Sequence, residues 1–518
     1  MNLRTHLKNN TKHMAKKLII LNLIIFQLLL ANSFAQTWYL TKGLSTDEVA
    51  WGVDVDSVGN IYWAIEEKDQ WPYWYQNILL FKIDSNAKQI WQSTSWGNGT
   101  GFNDIGFIVK VQGQNVYVGG RSDSTLDISG TGDDALVMSY DLSNGNLNWA
   151  NNITPYPDYG YQEIDGLLIQ SDGIYITGWT AGQTTDMDFL IQKIDLNGNP
   201  VWINSWDYNN LGKFDGGNGH MAMDSKYIYA AGHVNRTNII SFDGDGALVC
   251  FDRNNGAEEW NVTWGGWLYD DALGMTMSAD SMLYMVGYTA SYGNGSQVYL
   301  NKYSRTGQLK WSQLWGGSGA EVSRAIVTDG DSLIFVVGAT LSYGNGGTDI
   351  LVLKYDTAGT LLDSLIWGGA YDEVAHDVVM YGDYLYITGE TKSYGNGLIN
   401  GDYKADGLLL KINGRTMESP DSITTAILPS IQVSDEIKFI ADYQNAYSTF
   451  HFNKYQNETF SIKAFNSIGQ EKIIHPEIFY NGNSVSVRIN FSELSTGIYF
   501  LQLNKNENFR TEKIIIMK

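Results

Sequence analysis

The sequence predicts an all-β protein, a seven-bladed β-propeller followed by a small C-terminal Ig-like β-sandwich. Three observations lead there. One phrase recurs seven times at roughly 50–58-residue intervals. Glycine (55 residues) and aromatic content (13%) are high against 7 prolines, while sustained 3.6-residue periodicity is scarce, so short strands and tight turns are expected. Beyond residue 414 the repeated phrase stops and the composition changes to Asn, Lys, Ile and Phe.

Residues 1–35 read as a signal peptide. Lys16-Lys17 precede the apolar stretch 18–31, and Ser33-Phe34-Ala35 places small residues at the −3 and −1 positions of a cleavage site. The apolar stretch is short for a membrane span, and an uncleaved anchor is the competing reading. Met14 opens a more ordinary signal peptide than Met1. The segment holds five basic side chains and no acid, so removing it takes the net charge from −22 to about −27. Such a surface repels phosphate backbones and anionic lipid, which argues against nucleic-acid partners and a polybasic membrane anchor. Cys250 is the only cysteine, so intramolecular disulfides and thiolate metal clusters are excluded.

Residues 36–414 carry the repeat. Each unit holds a strand that ends in glycine, a turn, and a second strand that ends in Asp and a Gly-containing turn. The first strand begins at Ile61, Val116, Ile174, Ile228, Leu283, Ile334 and Leu385, and six copies close on Gly120, Gly178, Gly232, Gly287, Gly338 and Gly389. A third strand contributes Trp91, Trp149, Trp202, Trp260 and Trp311, and a second Trp follows, often as Trp-Gly-Gly at 264, 315 and 367. An acidic cluster then leads into a fourth strand. Stacked in a line, such units would expose two sheet edges; a ring exposes none. The seventh unit lacks its Trp strand, and residues 36–43 supply a spare strand at the other end of the chain, so an N-terminal strand is expected to complete the last blade.

The phrases Tyr175-Ile-Thr-Gly178, Asp349-Ile-Leu-Val-Leu-Lys-Tyr-Asp356 and Trp315-Gly-Gly317 resemble bacterial seven-bladed propeller repeats of the SBBP type over about 36–414. The resemblance specifies architecture and says almost nothing of activity. Residues 415–435 read as a linker, and 436–518 as a small antiparallel sandwich. Within it, Asn466-Ser-Ile-Gly-Gln470, Leu494-Ser-Thr-Gly-Ile-Tyr499 and Lys513-Ile-Ile-Ile-Met-Lys518 resemble the type A C-terminal sorting domain of the type IX (Por) secretion system of Bacteroidota. The Pro-Asn-Pro phrase that often opens such domains is absent. The resemblance implies engagement of the type IX machinery and release or attachment at the outer cell surface. A generic adhesive module is the plainer reading.

Three features are candidates for chemistry. His220 and His376 fall, by counting back about a dozen residues from the blade glycines, where blades three, five and six carry Gly166, Gly274 and Ala325. That places two imidazoles on the inner strands of nearly opposite blades, too far apart to bind one ion directly; packed histidine is the plainer reading. Acids recur before that strand: Asp47, Glu48, Asp104, Glu163, Asp165, Asp215, Asp270, Asp271, Glu321, Asp372 and Glu373. They could attract calcium or a cationic partner, or simply cap equivalent turns. Aromatic platforms come from the repeated Ser-Tyr-Gly-Asn-Gly loops (Tyr292, Tyr343, Tyr394) and from Trp71, Tyr73, Trp74 and Tyr75 in the 66–76 insertion of blade one. Packing between blades is the competing reading for the three loop tyrosines. Serine-hydrolase, metalloprotease and phosphate-loop motifs are absent, and no cofactor is indicated beyond possible calcium. The expectation is therefore a secreted or cell-surface protein that binds a glycan or protein ligand. The alternative is an extracellular polysaccharide hydrolase or lyase with its site in the channel.

Overall fold

The computed structural model describes residues 37–43, 47–68, 76–96, 104–122, 133–153, 162–181, 187–208, 215–235, 244–266, 268–293, 295–395, 398–399 and 402–420. Beyond these it describes 438–442, 447–453, 460–466, 471–472, 474, 476–481, 484–490, 497–505 and 508–516. The chain divides into two compact units, Met1–Ile427 and Leu428–Lys518. No α-helix occurs among the described residues, and none is long and apolar enough to cross a membrane.

Seven four-stranded antiparallel sheets, with a small hairpin of Leu398–Ile399 and Asp402–Tyr403, make up the described part of the first unit. Their inner strands are Val49–Val55, Asp104–Gln112, Gln162–Gln170, Met221–Met223, Asp270–Met277, Glu321–Thr328 and Glu373–Tyr381. Each inner strand touches the inner strands of the two neighbouring blades, so together they wall a central channel. Six blades use four consecutive strands. The seventh pairs Asp406–Asn413 with Trp38–Lys42, in the register Trp38 to Lys411 through Lys42 to Gly407. The expected N-terminal closure is therefore present. Trp38 also donates its indole N–H to the carbonyl of Ser85 in blade one (3.1 Å), tying the closing strand across the seam.

The strands alternate large apolar residues on both faces because each blade is covered by another on either side. Every one of the seven blade junctions holds its own apolar cluster. The repeated tyrosine of the second strand packs on the outer-strand tryptophan of its own blade, as in Tyr62 with Trp91 (5.9 Å) and Tyr284 with Trp311 (5.9 Å). The Gly-containing turn of the next blade covers that tryptophan: Gly145 lies on Trp91, Gly198 on Trp149 and Gly359 on Trp311. Gly198 sits at φ +86°, a left-handed turn that a side chain would both strain and crowd. Asp195 opens that turn by accepting the backbone N–H groups of Asn197 and Asn199. The recurring Tyr, Trp, Asp and Gly are thus one blade-to-blade joint.

The second unit contains two four-stranded antiparallel sheets among its described residues. One orders Lys438–Asp442, Tyr447–Asn453, Ser484–Asn490 and Glu477–Asn481; the other orders Glu471–Lys472, Phe460–Asn466, Gly497–Lys505 and Asn508–Ile516. Ala464, Val487 and Ile489 are buried.

Candidate functional site

The inner strands share an irregularity that builds the site. In six blades the ladder to the second strand slips by one residue, and the extra residue is Trp51, Phe107, Asp165, Leu273, Arg324 or His376. In blade four the pairing is interrupted between Gly219 and Met221, and His220 takes the same place. A β-bulge re-aims the extra side chain. Here all seven bulge residues line one cavity of about 410 Å3 in the channel, joined by Glu163, Trp179, Asn218 and Asp377.

The repeated glycine makes the bulge possible. A Cβ on Gly120, Gly178, Gly232, Gly287, Gly338 or Gly389 would overlap an inner-strand carbonyl, that of Ile105, Glu163, Gly216, Asp271, Val322 and Val374 respectively. Counting from these glycines locates the right strand but the wrong residue in three blades. The bulge lies 12 to 14 residues before the glycine, because the inner hairpins differ in length. The counterparts of His220 and His376 are therefore Asp165, Leu273 and Arg324, not Gly166, Gly274 and Ala325. Small residues do not line the wall at this level; unlike ones do.

The cavity is chemically uneven. On the blade-three side, Asp165 hydrogen-bonds Glu163; burial, reinforced by the Glu163 charge, pushes Asp165 well above the usual carboxylate range. Arg121 pairs with Glu163 (3.1 Å) and with Asp133 (3.3 Å). Across the channel, Arg324 and His376 come from adjacent blades. Burial first, and the Arg324 charge second, hold the His376 imidazole well below its ordinary pKa, so it is neutral. Its face lies 4.2 Å from the Trp51 ring, which meets Phe107 edge-on at 5.2 Å. Among the described residues, Asp165 Oδ2, Arg324 Nε and both ring nitrogens of His376 are buried without a hydrogen-bond partner. The floor is formed where His220 Nε2 of blade four approaches Asp377 Oδ1 of blade seven at 3.7 Å.

The other candidates are placed differently. Tyr292, Tyr343 and Tyr394 stack on Trp264, Trp315 and Trp367 at 5.3, 5.1 and 4.8 Å. They donate their hydroxyls to the carbonyls of Gly265, Gly316 and Gly368 at 2.7, 3.3 and 3.0 Å. Each Trp-Gly-Gly phrase and Ser-Tyr-Gly loop therefore form one joint, with Tyr292 the most exposed ring of the three at 40%. The acids at the inner-strand starts accept backbone N–H groups: Glu321 from Gly317 and Ser342, Glu373 from Gly369 and Ser393, Asp270 from Gly266 and Ser291. In these blades they act as caps. No group of three or more His, Cys, Asp or Glu arranged to hold a metal ion occurs among the described residues. Trp71, Tyr73, Trp74 and Tyr75 lie outside the described residues.

Comparison with known proteins matches two stretches of the chain. A family model described as a secretion system C-terminal sorting domain matches residues 445–517. The chain is a β-propeller carrying a type IX secretion sorting domain. That domain directs the protein to the cell surface or the extracellular space, in keeping with the signal-peptide pattern of residues 1–35. A second family model, described as outer membrane protein assembly factor BamB, matches residues 188–391, from the third strand of blade three into blade seven. No curated protein matches the chain. Similar solved structures include phage phi92 endosialidase, at 11% identity and TM-score 0.40 over 93% of this chain and 88% of that one. A mutant of the Synechocystis apocarotenoid oxygenase is similar at 10% identity and TM-score 0.43, over 74% and 92%. At these values the likenesses say nothing about the sorted propeller's activity.

Proposed function

We propose that the protein is a secreted glycan-binding propeller whose ligand sits in the central cup. The observation that carries this reading is the set of orphaned polar atoms. Asp165 carries an unpartnered Oδ2, Arg324 an unpartnered Nε and His376 two unpartnered ring nitrogens, and all three residues line one cavity. Buried groups of this kind cost stability unless a ligand or an ordered water partners them. A sugar hydroxyl both donates and accepts, and a sugar ring has an apolar face for Trp51, Phe107 or Trp179. The cavity lies within the roughly 300–1,000 Å3 range of small-ligand sites. Trp71, Tyr73, Trp74 and Tyr75, outside the described residues, are proposed as further sugar contacts on the sequence alone.

A second reading has one specific observation behind it. A carboxyl whose pKa is raised by burial, as that of Asp165 is, can serve as a general acid in polysaccharide cleavage. One experiment separates the two. The secreted chain is titrated with a panel of bacterial, plant and algal polysaccharides, and the supernatant is assayed for new sugar ends. Saturable binding without products, abolished in His376→Ala and Arg324→Gln, supports the binding protein. Product formation lost in Asp165→Asn supports the enzyme, and absence of any binding across the panel removes both.

A further inference from the structure

We infer, on the basis of the sugar-binding reading, that the cup receives chain ends and not internal segments of a glycan. The wall is continuous, because every inner strand touches its two neighbours around the ring. The floor is bridged. Blades four and seven stand three steps apart in a ring of seven, almost diametrically opposed, yet His220 and Asp377 approach to 3.7 Å across the channel. That gap is far narrower than a sugar ring. Asp377 is itself anchored, accepting the backbone N–H groups of Val378 (2.7 Å) and Val53 (3.2 Å), so the floor is held from two blades.

A second polar layer lies beneath. Asp54 of blade one accepts the backbone N–H of Val111 at 2.7 Å, and Lys110 of blade two is close enough for its charge to act on both Asp54 and His220. The cavity touches His220 and Asp377 but neither Asp54 nor Lys110, so it stops at the first layer. A polymer running through the site would need two openings. The His220–Asp377 bridge lies across one of them, so on this reading a chain enters tip first, either as a linear terminus or as a side-branch sugar.

The orphaned atoms sit at the right depth for this. His376 Nδ1 and Nε2, 9% exposed as a residue, belong to the same strand as the floor residue Asp377 and precede it by one position. His376 therefore lines the cup at the depth of its floor.

The test uses the full secreted chain and four probes: laminarin, xylan, alginate and polygalacturonate, each intact and after limited hydrolysis. Binding is followed by tryptophan fluorescence. For a polymer that binds, shortening the chains about tenfold should raise binding per unit mass about tenfold, because ends and not residues are counted. The signal should vanish in His376→Ala and in Arg324→Gln, with circular dichroism confirming that each variant is folded. Equal binding per unit mass for long and short chains would overturn end recognition while leaving the sugar-binding reading intact. No binding of any probe, intact or shortened, would overturn both.

Discussion

Replacing Asp349 by Asn should stabilise the propeller at neutral and alkaline pH and do nothing in acid. Asp349 opens the third strand of blade six and is 1% exposed. Its Oδ2 accepts the backbone N–H of Asn345 (3.0 Å), but Oδ1 has no hydrogen-bond partner among the described residues. Burial, and secondarily the charges of Glu373 and Asp372, raise its pKa from 3.8 to about 7. The sign follows from which state holds the proton. Below the unfolded value both states are protonated and the group is neutral to stability. Between the two values the unfolded chain releases a proton that the folded one keeps, so stability falls as pH rises, and the loss levels off above the folded value. A shift of about three units corresponds to about 4 kcal/mol at most, and relaxation around the group makes about 2 kcal/mol a fair expectation. Blade five already contains the neutral solution: Gln297 occupies the corresponding place beside Glu321 and donates to the carbonyl of Gly317 at 2.9 Å. The assay is thermal unfolding of wild type and Asp349→Asn from pH 4 to 9. The variant should gain roughly 2–5 °C at pH 8 and converge with wild type near pH 4. A difference that is constant with pH, or that favours wild type at pH 8, would refute the protonation argument.

Two further outcomes test the frame of the ring. Deleting residues 36–42 removes the strand paired with Asp406–Asn413, together with Tyr39 packed on Trp367 and Tyr394. Burial of three large side chains and a five-residue ladder predicts a loss on the order of 5 kcal/mol and a melting temperature lower by roughly 10 °C or more; an unchanged melting curve would show that the ring closes without it. Gly389→Ala should unfold blade seven or cost more than about 4 kcal/mol, since its Cβ would run into the Val374 carbonyl. Gly113→Ala, at φ +63° with open space around it, should cost only about 1 kcal/mol, so similar losses in chemical denaturation would mean that the bulge does not depend on the blade glycines.

The blades, their number and the closing strand were legible because each rests on a side chain that recurs for one local reason. A tyrosine needs its tryptophan, the tryptophan needs a glycine turn above it, and the glycine needs φ > 0. The acidic clusters could likewise be read as caps, since equivalent turns present equivalent backbone N–H groups. What could not be read was which residue faces the channel. A bulge changes strand parity by one, and hairpin length varies between blades, so His220 and His376 were found, Asp165 was named only among the acids before that strand, and Arg324 was missed in favour of its neighbour Ala325. Trp51 and Phe107 were hidden for another reason: in a chain with 17 tryptophans and 19 phenylalanines nothing marks two as lining a cavity. The available signal was the blade glycine itself, which marks the presence of a bulge but not its exact distance.

That distinction bears on where activity can reside in such a ring. Positions at the blade junctions must repeat, because each blade meets its neighbours in the same way, and tyrosine, tryptophan and the capping acids duly repeat. The bulge residue is exempt. Its side chain enters the channel, where its neighbours are unlike residues of other blades, as Trp51 meets Phe107 and His376. In this chain those seven positions hold an indole, a phenyl, a carboxyl, two imidazoles, an isobutyl group and a guanidinium. Such diversity at structurally equivalent places is what a ligand with different groups on different sides would require, and packing alone supplies no reason for it. The same exemption explains why the loop tyrosines, attractive as platforms in the sequence, are weaker candidates: Tyr292, Tyr343 and Tyr394 repeat because the joints of blades five, six and seven repeat.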